Sequence, residues 1–503
     1  MSRAHTPPAW ARRRSGAVAL ALLLAACGGG GGGATPPSPP PPEPRPVARD
    51  VRVWLTTGDQ TRLLSREADL SFGADTGGRD DVRLDVDTAA TFQTMLGFGA
   101  AMTDASAWLI QRRMSAAQRE ALLQDLFGRG AAGAPASGPA PPGIGLGVVR
   151  IPMGASDFSR THYSYADERD PTLASFSIEP DRAEKLPALR GALAVNPALY
   201  FVASPWSPPG WMKTSNSLVT GTLRDDMHQP FAQYFVRFLR AYRAEGVRVR
   251  ALTVQNEPDF EPKDYPGMRL NAPARARVIG TALGPALADA GEDVQIWDWD
   301  HNWDKPEEPR QVLADPVAAR YVQGVAWHCY AGDVSAQSTV RELAPTKDVH
   351  FTECSGGEWA PDFAPNLAWN VGTLIVGTTR HWARSVLLWN LALDQRGGPH
   401  LGGCGNCRGV VTIDSATGSY RRNVEYFALG HASRFVRPGA VRVGSSSGVQ
   451  GVVSVAFRNA DDGSKVLVVA NTAAAARPVQ VRWAGRAFRF PLPATSAATF
   501  VWD

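Results

Sequence analysis

Two glutamates stand at the ends of short apolar runs, where a strand would present its last side chains. The run "VRALTVQ" leads into Asn256-Glu257-Pro258, and the run "VHFT" leads into Glu353. Paired carboxyl groups can share acid and base work, because one can hold a proton while the other is ionised. The two residues lie far apart in the chain, so such chemistry depends on a fold that brings them together.

Other apolar runs also end in residues that can do chemistry. The candidates at these ends are Asp104, Arg150, Trp206, Asn256, His328, Tyr330 and Trp389. Two carboxylates among aromatic rings, without a cluster of metal ligands, favour the hydrolysis of glycosides. One carboxyl group protonates the leaving oxygen, the other attacks the anomeric carbon or activates water, and the rings stack on sugars. The acid needs a raised pKa, which a partly desolvated site beside a like charge supplies.

The runs that carry these residues recur eight times from about Thr94 onward, each followed by a longer, often helical segment. They are "TMLGFGAAMTD", "IGLGVVRIP", "LYFVASPWSP", "VRALTVQNEP", "VQIWDWDHN", "GVAWHCYAG", "VHFTECSGG" and "SVLLWNLALD". Apolar strands that alternate with helices favour a parallel sheet covered by helices. Eight such units predict an α/β fold of the (β/α)8 TIM-barrel type, in which active sites lie at the C-terminal strand ends.

One connecting helix can be predicted in detail, in the segment "QPFAQYFVRFLRAYRAEG". Its aromatic and leucine residues recur at the spacing of one helix face and should pack inward: Phe231, Tyr234, Phe235, Phe238, Leu239 and Tyr242. Gly246 stands where a left-handed helix end belongs. The chain then enters the run that ends at Glu257, which places Glu257 at the tip of a barrel strand.

The two ends of the folded part have a different pattern. The C-terminal segment is rich in β-strand residues around a hairpin signal at Asp461-Asp462-Gly463, and alternating runs precede the barrel. We therefore expect an additional antiparallel β-sandwich domain. The predicted boundaries are 91–430 for the catalytic barrel, and 51–90 together with 431–503 for the sandwich.

The N-terminus predicts export. In residues 1–27, arginines precede a short apolar run that ends in Leu-Ala-Ala-Cys27, which resembles a bacterial lipoprotein signal peptide with Cys27 as the lipidated residue. The alternative is an ordinary secretory signal cleaved at a nearby small residue. Residues 28–49 are rich in Gly and Pro and predict a tether. We expect a protein anchored by lipid to a bacterial envelope membrane, at the outer membrane or cell surface, or otherwise secreted.

The remaining cysteines and the net charge limit the other possibilities. Cys404 and Cys407 form a lone Cys-X-X-Cys, for which we favour a local disulfide in an exported protein, with free thiols and a metal site as alternatives. Cys329 and Cys354 cannot be paired from the sequence. A net charge of +4 over 503 residues gives no reason to expect nucleic acid as a partner, and no motif indicates a cofactor or a metal.

Several long motifs in order resemble glycoside hydrolase family 30, the family of glucosylceramidases and microbial endo-β-1,6-glucanases. They are "LGFGAAMTDASAW", "RIPMGASDFS", "YSYAD", "ASPWSPPGWMKT", "NEP", "HCYAG", "FTECSG", "LLWNLALD" and "GGPHLGGCGNCRGVVTID". The resemblance extends from about residue 51 to the C-terminus. It implies a barrel with a side β-sandwich, and hydrolysis of β-glucosidic linkages with retention of configuration by double displacement.

The resemblance also implies roles for individual residues. Glu257 of "NEP" matches the acid/base, Glu353 of "FTEC" matches the nucleophile, and Asn256 matches the residue that contacts the sugar 2-hydroxyl. A retaining pair of carboxyl groups should lie about 5 Å apart, against about 9 Å for inversion.

The other matched residues surround this pair. Asp104, Trp206 and Trp389 match residues that line the first glycone subsite, although Asp104 could instead cap the following helix. His328 and Tyr330 match a pair near the nucleophile, although His328 could be a hydrogen-bonded barrel histidine. Arg150 matches a buried arginine that would hold a carboxylate ionised.

The differences from the glucosylceramidases bear on the substrate. Their pattern has an aromatic residue where this chain has Cys329, and their last barrel loop lacks the form "CGNCRGVVTID". We therefore favour a β-glucan or β-glucoside, with glucosylceramide left open. One alternative is a non-catalytic glycan-binding surface lipoprotein, which would need a lost carboxylate, and both glutamates are present. A metal-dependent hydrolase would need more converging ligands than one Cys-X-X-Cys.

Overall fold

Eight parallel strands close into a barrel in the computed structural model, which describes residues 50–76, 81–129 and 143–503. The barrel strands, first to eighth, are Gly97–Ala101, Val148–Met153, Tyr200–Pro205, Val249–Thr253, Gln295–Asn302, Val322–His328, Asp348–Glu353 and Ala383–Asn390. Each pairs with the next strand along the chain, and the eighth pairs with the first. These strands are the eight predicted runs, so the predicted (β/α)8 barrel is confirmed.

Helices connect the barrel strands and cover their outer faces. The α-helices are Asp104–Arg112, Ala116–Phe127, Glu179–Arg182, Lys185–Val195, His228–Ala244, Ala272–Arg277, Gly284–Asp289, Glu307–Ala314, Ala336–Leu343, Phe363–Trp369, Thr378–Arg380 and Val424–Ser433. The segments Val278–Leu283 and Asn370–Gly377 continue two of them as π-helix, and short 3-10 turns cover Gly210–Met212, Asp225–Met227 and Ala318–Arg320. No helix among the described residues is long and apolar enough to cross a bilayer.

The helix that precedes the fourth barrel strand follows its sequence pattern. It spans His228–Ala244 and buries the six predicted residues of its inner face. Gly246 has a φ of 82°, which a glycine adopts without steric cost. This helix end directs the chain into the strand Val249–Thr253, whose extension carries Glu257.

A nine-stranded sheet forms the second domain and is mostly antiparallel. In the order of their pairing its strands are Ser65–Arg66, Val51–Thr57, Ser496–Trp502, Lys465–Asn471, Val452–Arg458, Val441–Ser445, Val82–Thr94, Arg477–Trp483 and Arg486–Leu492. The predicted β-sandwich, built from both ends of the folded part, is therefore confirmed as a fold. The strand Val82–Thr94 runs across the predicted boundary at residue 90.

Short pairings complete the loops at the C-terminal end of the barrel. Gly356–Gly357 pairs with Cys407–Arg408, and Ala392–Asp394 pairs with Val411–Ile413, which pairs with Tyr420–Arg422. The loop after the seventh barrel strand is thus tied to the loop that contains the Cys-X-X-Cys. Both loops border the end of the barrel where Glu353 lies.

Candidate active site

The barrel brings most of the predicted residues to one end. Arg150 lies within the second strand, His328 and Glu353 end the sixth and seventh strands, and Trp389 lies near the end of the eighth. Trp206 follows the third strand, Asn256 and Glu257 follow the fourth, and Tyr330 follows the sixth. Because parallel strands all finish at the same face, residues from distant parts of the chain converge there.

Glu257 and Glu353 face each other across His328. The Nδ1 atom of His328 lies 3.1 Å from Oε1 of Glu257 and 4.0 Å from Oε1 of Glu353. One ligand atom from each of the three residues lies within 4.8 Å of the others, so the two carboxyl groups are no farther apart than that at their nearest oxygens. This matches the spacing of about 5 Å in retaining glycosidases and falls well short of the spacing in inverting ones.

Arg150 and Tyr330 hold Glu353 from two sides. The fully buried guanidinium of Arg150 forms an ion pair with Glu353 and donates a 2.7 Å hydrogen bond to Oδ1 of Asn256. The Tyr330 hydroxyl donates a 3.0 Å hydrogen bond to Oε1 of Glu353, while its side chain stays 45% exposed. Tyr330 thus connects the buried carboxylate to the open end of the barrel.

Asp300, which the sequence motifs do not single out, lies beneath this group. Its Oδ2 accepts a hydrogen bond from Arg150 at 2.8 Å, and its Oδ1 lies 3.1 Å from Nε2 of His328. Three hydroxyls, those of Ser204, Thr253 and Thr352, donate to the same carboxylate. Burial acts to raise the pKa of Asp300, but the charge of Arg150 and the contact with His328 outweigh it and hold the pKa well below its usual value.

The backbone is left-handed at two of these acidic residues. The φ angles are 47° at Glu257 and 55° at Asp300, and non-glycine residues adopt such angles at a steric cost. The amide of Glu257 donates to the carbonyl of Asp300 at 3.1 Å, and the amide of Asn256 donates to that of Pro205 at 2.9 Å. Bonds to the two neighbouring strands therefore fix the direction of the Glu257 side chain.

The two glutamates have unequal acidity. Burial acts to raise the pKa of Glu257, but the hydrogen bond with His328 and the charges of His301, His328 and Arg150 outweigh it, and the pKa is lowered. Burial raises the pKa of Glu353, against the opposing charges of His328 and Arg150. The raised pKa that was expected for the acid therefore falls on Glu353, because Glu257 has the closer contact with His328.

His328 is the cationic partner of the acidic group. Burial alone would lower its pKa, but Glu353, Asp300 and Glu257 together raise it to about 9. Both ring nitrogens then carry protons at neutral pH and donate to Glu257 and Asp300. His328 is thus both a hydrogen-bonded barrel histidine and a neighbour of the two glutamates.

Two tryptophans form one wall beside Arg150. The rings of Trp206 and Trp389 stack with centroids 4.8 Å apart, and each is 3% exposed. The Arg150 guanidinium lies 4.8 Å from the Trp206 ring and 5.6 Å from the Trp389 ring. The predicted position of these rings beside the glutamates agrees with this geometry, and their contact with a sugar stays a prediction.

Asp104 is paired with a lysine and a tyrosine rather than with the glutamates. Thr103, not Asp104, caps the helix, because its side chain accepts from the amide of Ser106 at 3.2 Å. The Asp104 carboxylate forms a 2.8 Å ion pair with Lys185 and accepts a hydrogen bond from Tyr163. Among the contacts of the described residues, none joins it to Glu257 or Glu353, and its contact with a sugar stays a prediction.

Asp157, a residue outside the sequence-based candidates, interacts electrostatically with both glutamates. Burial, followed by the negative charges of Glu353 and Glu257, raises the pKa of Asp157 well above its usual range. The charges of Glu257, Asp157 and Glu353 also add to the burial that raises the pKa of Tyr265. Asp157 lies in the motif "RIPMGASDFS", just beyond the second barrel strand. This position at a C-terminal strand end is the sequence feature that could have identified Asp157 as a site residue.

Glu257, His328 and Glu353 together could in principle ligate a metal ion. Their contacts favour another use, because a histidine with a pKa of about 9 is protonated at neutral pH and Arg150 already neutralises Glu353. These contacts of the three residues support the prediction of a site without a metal ion, which stays a prediction.

The four remaining cysteines are joined in two disulfides, Cys329–Cys354 and Cys404–Cys407. The Cys-X-X-Cys therefore forms a local disulfide, and not free thiols or a metal site. The second pair, open at the level of sequence, links the ends of the sixth and seventh barrel strands. The predicted signal peptide, Cys27 and the tether 28–49 lie outside the described residues.

A buried carboxylate pair at the end of a TIM barrel, with a β-sandwich beside it, is a glycoside hydrolase architecture. The chain belongs to glycosyl hydrolase family 30: residues 95–436 match the model of its TIM-barrel domain, and residues 439–500 match that of its β-sandwich domain. It is therefore an O-glycoside hydrolase, as the resemblance implied.

The relatives include two kinds of enzyme. The chain is 36% identical over 399 residues to an endo-1,6-β-D-glucanase of Neurospora crassa, covering 75% of this chain and 79% of that protein. It is 30% identical to the mouse (Mus musculus) lysosomal acid glucosylceramidase, covering 87% of each. Among solved structures, the endo-β1,6-glucanase BT3312 superposes with a TM-score of 0.82 at 30% identity, over 90% of this chain and 99% of that one.

Proposed function

We propose that this protein is a retaining β-glycosidase that cleaves β-glucosidic linkages by double displacement, with Glu353 as the nucleophile and Glu257 as the acid/base. The observation that carries the proposal is the close pair of carboxyl groups, within 4.8 Å around His328. An inverting enzyme needs a water molecule between one carboxylate and the sugar, and this spacing leaves no room for it.

The contacts of Glu353 suit a nucleophile. Arg150 and the Tyr330 hydroxyl both donate to its carboxylate and favour the ionised form, against the burial that raises the pKa of Glu353. In the first step a Glu353 oxygen attacks the anomeric carbon while the glycosidic C–O bond breaks. In the second step water replaces Glu353 at that carbon.

The proton for the leaving oxygen comes from the Glu257–His328 pair in this proposal. The pair holds one shared proton, which rests on His328 before substrate binds because the pKa of His328 is about 9. The 3.1 Å contact lets the proton pass to Glu257 when substrate excludes water, and Glu257 donates it to the departing oxygen. In the second step Glu257 accepts a proton from the attacking water, which restores the pair.

We propose a β-1,6-linked glucan as the substrate, with other β-glucosides or glucosylceramide as alternatives. The relatives named as endo-1,6-β-D-glucanases are more similar in sequence than the glucosylceramidases are. The Cys329–Cys354 and Cys404–Cys407 disulfides border the site, where loops set specificity.

We further propose that the enzyme is exported and tethered by lipid at Cys27 to the bacterial envelope, where it would act on extracellular glycans. The apolar run that ends in Leu-Ala-Ala-Cys27 and the Gly/Pro-rich segment 28–49 support this.

The test combines active-site variants with a product profile. Wild type, Glu257→Gln and Glu353→Gln are incubated with β-1,6-glucan, β-1,3-glucan, glucosylceramide and an aryl β-glucoside, and the products are resolved by length and anomeric form. We expect wild type to release β-configured products and each variant to lose hydrolysis while its circular dichroism is unchanged. Initial α-configured products, or near-normal turnover in either variant, would refute the proposed mechanism. Binding of glucan without hydrolysis would instead support a glycan-binding protein.

A further inference from the structure

The disulfide Cys329–Cys354 lies directly beside the two glutamates. Cys329 stands between His328 and Tyr330, and Cys354 follows Glu353. In the pairing of the sixth and seventh barrel strands, His328 is opposite Glu353. The disulfide therefore crosslinks the two chain segments one residue beyond the last paired residues.

The strand pairing is irregular at this point. Trp327 pairs with Phe351 and His328 pairs with Glu353, so Thr352 is an extra residue in the seventh strand. Such a bulge redirects side chains and weakens the hydrogen-bond ladder around it. Thr352 uses its hydroxyl to donate to Asp300 at 2.7 Å, which directs its neighbour Glu353 toward Arg150 and Tyr330.

Beyond the bulge, each chain segment is tied to the strand on its far side. The amide of Tyr330 donates to the Asn302 side chain of the fifth strand at 3.0 Å. The carbonyl of Cys354 accepts from the amide of Trp389 in the eighth strand at 2.9 Å. These bonds hold the two segments to opposite neighbours, so the disulfide supplies the covalent tie across the gap between them.

That gap is crossed by contacts of the reacting groups. The Tyr330 hydroxyl reaches Glu353 at 3.0 Å from one side, and His328 lies 4.0 Å from the same carboxylate. A displacement of about 1 Å between such groups can lower a rate by orders of magnitude.

We propose that the Cys329–Cys354 disulfide is a positioning element, which holds Tyr330 and His328 in register with Glu353 and on which turnover depends. The inference rests on the proposed function, because it assigns work to the same two carboxyl groups. Both cysteines act through the residues beside them in the chain.

The experiment compares three proteins: wild type, Cys329→Ala/Cys354→Ala, and the control Cys404→Ala/Cys407→Ala, which removes the other disulfide. Two quantities are measured well below each melting temperature: kcat and KM on an aryl β-glucoside, and the pKa of His328 by NMR of its imidazole. In Cys329→Ala/Cys354→Ala we expect kcat to fall about tenfold or more with KM within about twofold. We also expect the pKa of His328 to fall from about 9 toward 6.5, while the control keeps it near 9.

Two outcomes distinguish the failures. If kcat and the pKa of His328 both match wild type while the melting temperature drops, the disulfide only stabilises the barrel and the inference is wrong. If wild type itself hydrolyses none of the β-glucosides, the proposed function fails, and the pKa of His328 still decides whether the disulfide positions that residue.

A second route covers poor folding of the double variant. The folded control protein is treated with dithiothreitol, which reduces the Cys329–Cys354 bond to two thiols and is itself oxidised to a cyclic disulfide. A fall of kcat of about tenfold or more relative to the untreated control protein is expected, with recovery on reoxidation. Full activity in the reduced, folded protein would overturn the inference.

Discussion

Replacing His328 with glutamine should change how the stability of the protein depends on pH. His328 is fully buried, with ring nitrogens 3.1 Å from Glu257 and 3.1 Å from Asp300 and with Glu353 at 4.0 Å. The nearby cationic or basic groups are Arg150 and His301, of which Arg150 is paired with Glu353 and Asp300. The His328→Gln substitution would keep a hydrogen-bonding side chain at this position but would remove the charge.

The size of the effect follows from the shifted pKa. The acidic neighbours raise the pKa of His328 from 6.5 to about 9, so the folded state binds this proton more tightly than the unfolded chain does. One pKa unit corresponds to about 1.4 kcal/mol, so the shift corresponds to about 3 kcal/mol of folding free energy. The sign is that of a raised pKa: this stability is fully present below the unfolded pKa of 6.5 and is lost as the pH rises through about 9.

The assay is urea unfolding of wild type and His328→Gln between about pH 6 and about pH 10, followed by tryptophan fluorescence. Groups that titrate alike in both proteins, such as Lys213 with its pKa lowered by burial to about 7, cancel in the comparison. Wild type should lose about 3 kcal/mol more than the variant across this range, with the same m-value in both. Parallel curves for the two proteins would refute the reasoning, because they would mean that His328 is neutral in the folded state.

Two further changes test other parts of the site and the chain. Asp300→Asn removes the carboxylate that binds both Arg150 and His328, so we expect a loss of about 3–5 kcal/mol in stability and a sharp fall in kcat; an unchanged urea midpoint together with wild-type kcat would contradict this. Cys27→Ser in the 503-residue chain, expressed in a bacterium, should move the protein from the membrane pellet to the soluble fraction and abolish labelling by fatty acid, whereas continued labelling would rule out Cys27 as the lipidated residue.

The architecture could be predicted because each barrel strand carries its own signal. The eight apolar runs end in polar or aromatic residues, and such ends must meet at one face when the strands are parallel and neighbouring. The helix His228–Ala244 was equally clear, since its inner face follows the helical period. These features depend on local pattern, which can be read directly from the sequence.

The site was less predictable where side-chain direction decides the contact. Asp104 and Asp157 both follow a barrel strand, and nothing local distinguishes the aspartate bound to Lys185 from the one near the glutamates. The difference arises from the paths of the two loops, since the amide of Leu401 bonds to the carbonyl of Asp157 and holds that loop over the barrel. The disulfide Cys329–Cys354 also required register: the sixth and seventh strands are neighbours, but only the pairing of His328 with Glu353 places the cysteines opposite each other.

Asp300 links the two halves of the candidate site in a way that no single strand reveals. One oxygen of its carboxylate binds Arg150, which holds Glu353, and the other binds His328, which holds Glu257. Its own charge is kept by three hydroxyl donors as well as by these cations, so it stays ionised where a lone buried acid would take up a proton. A fixed negative charge beneath both partners keeps His328 protonated and Arg150 in place at the same time. Asp300 therefore supports the protonated state of His328 that the proposed proton transfer to Glu257 requires.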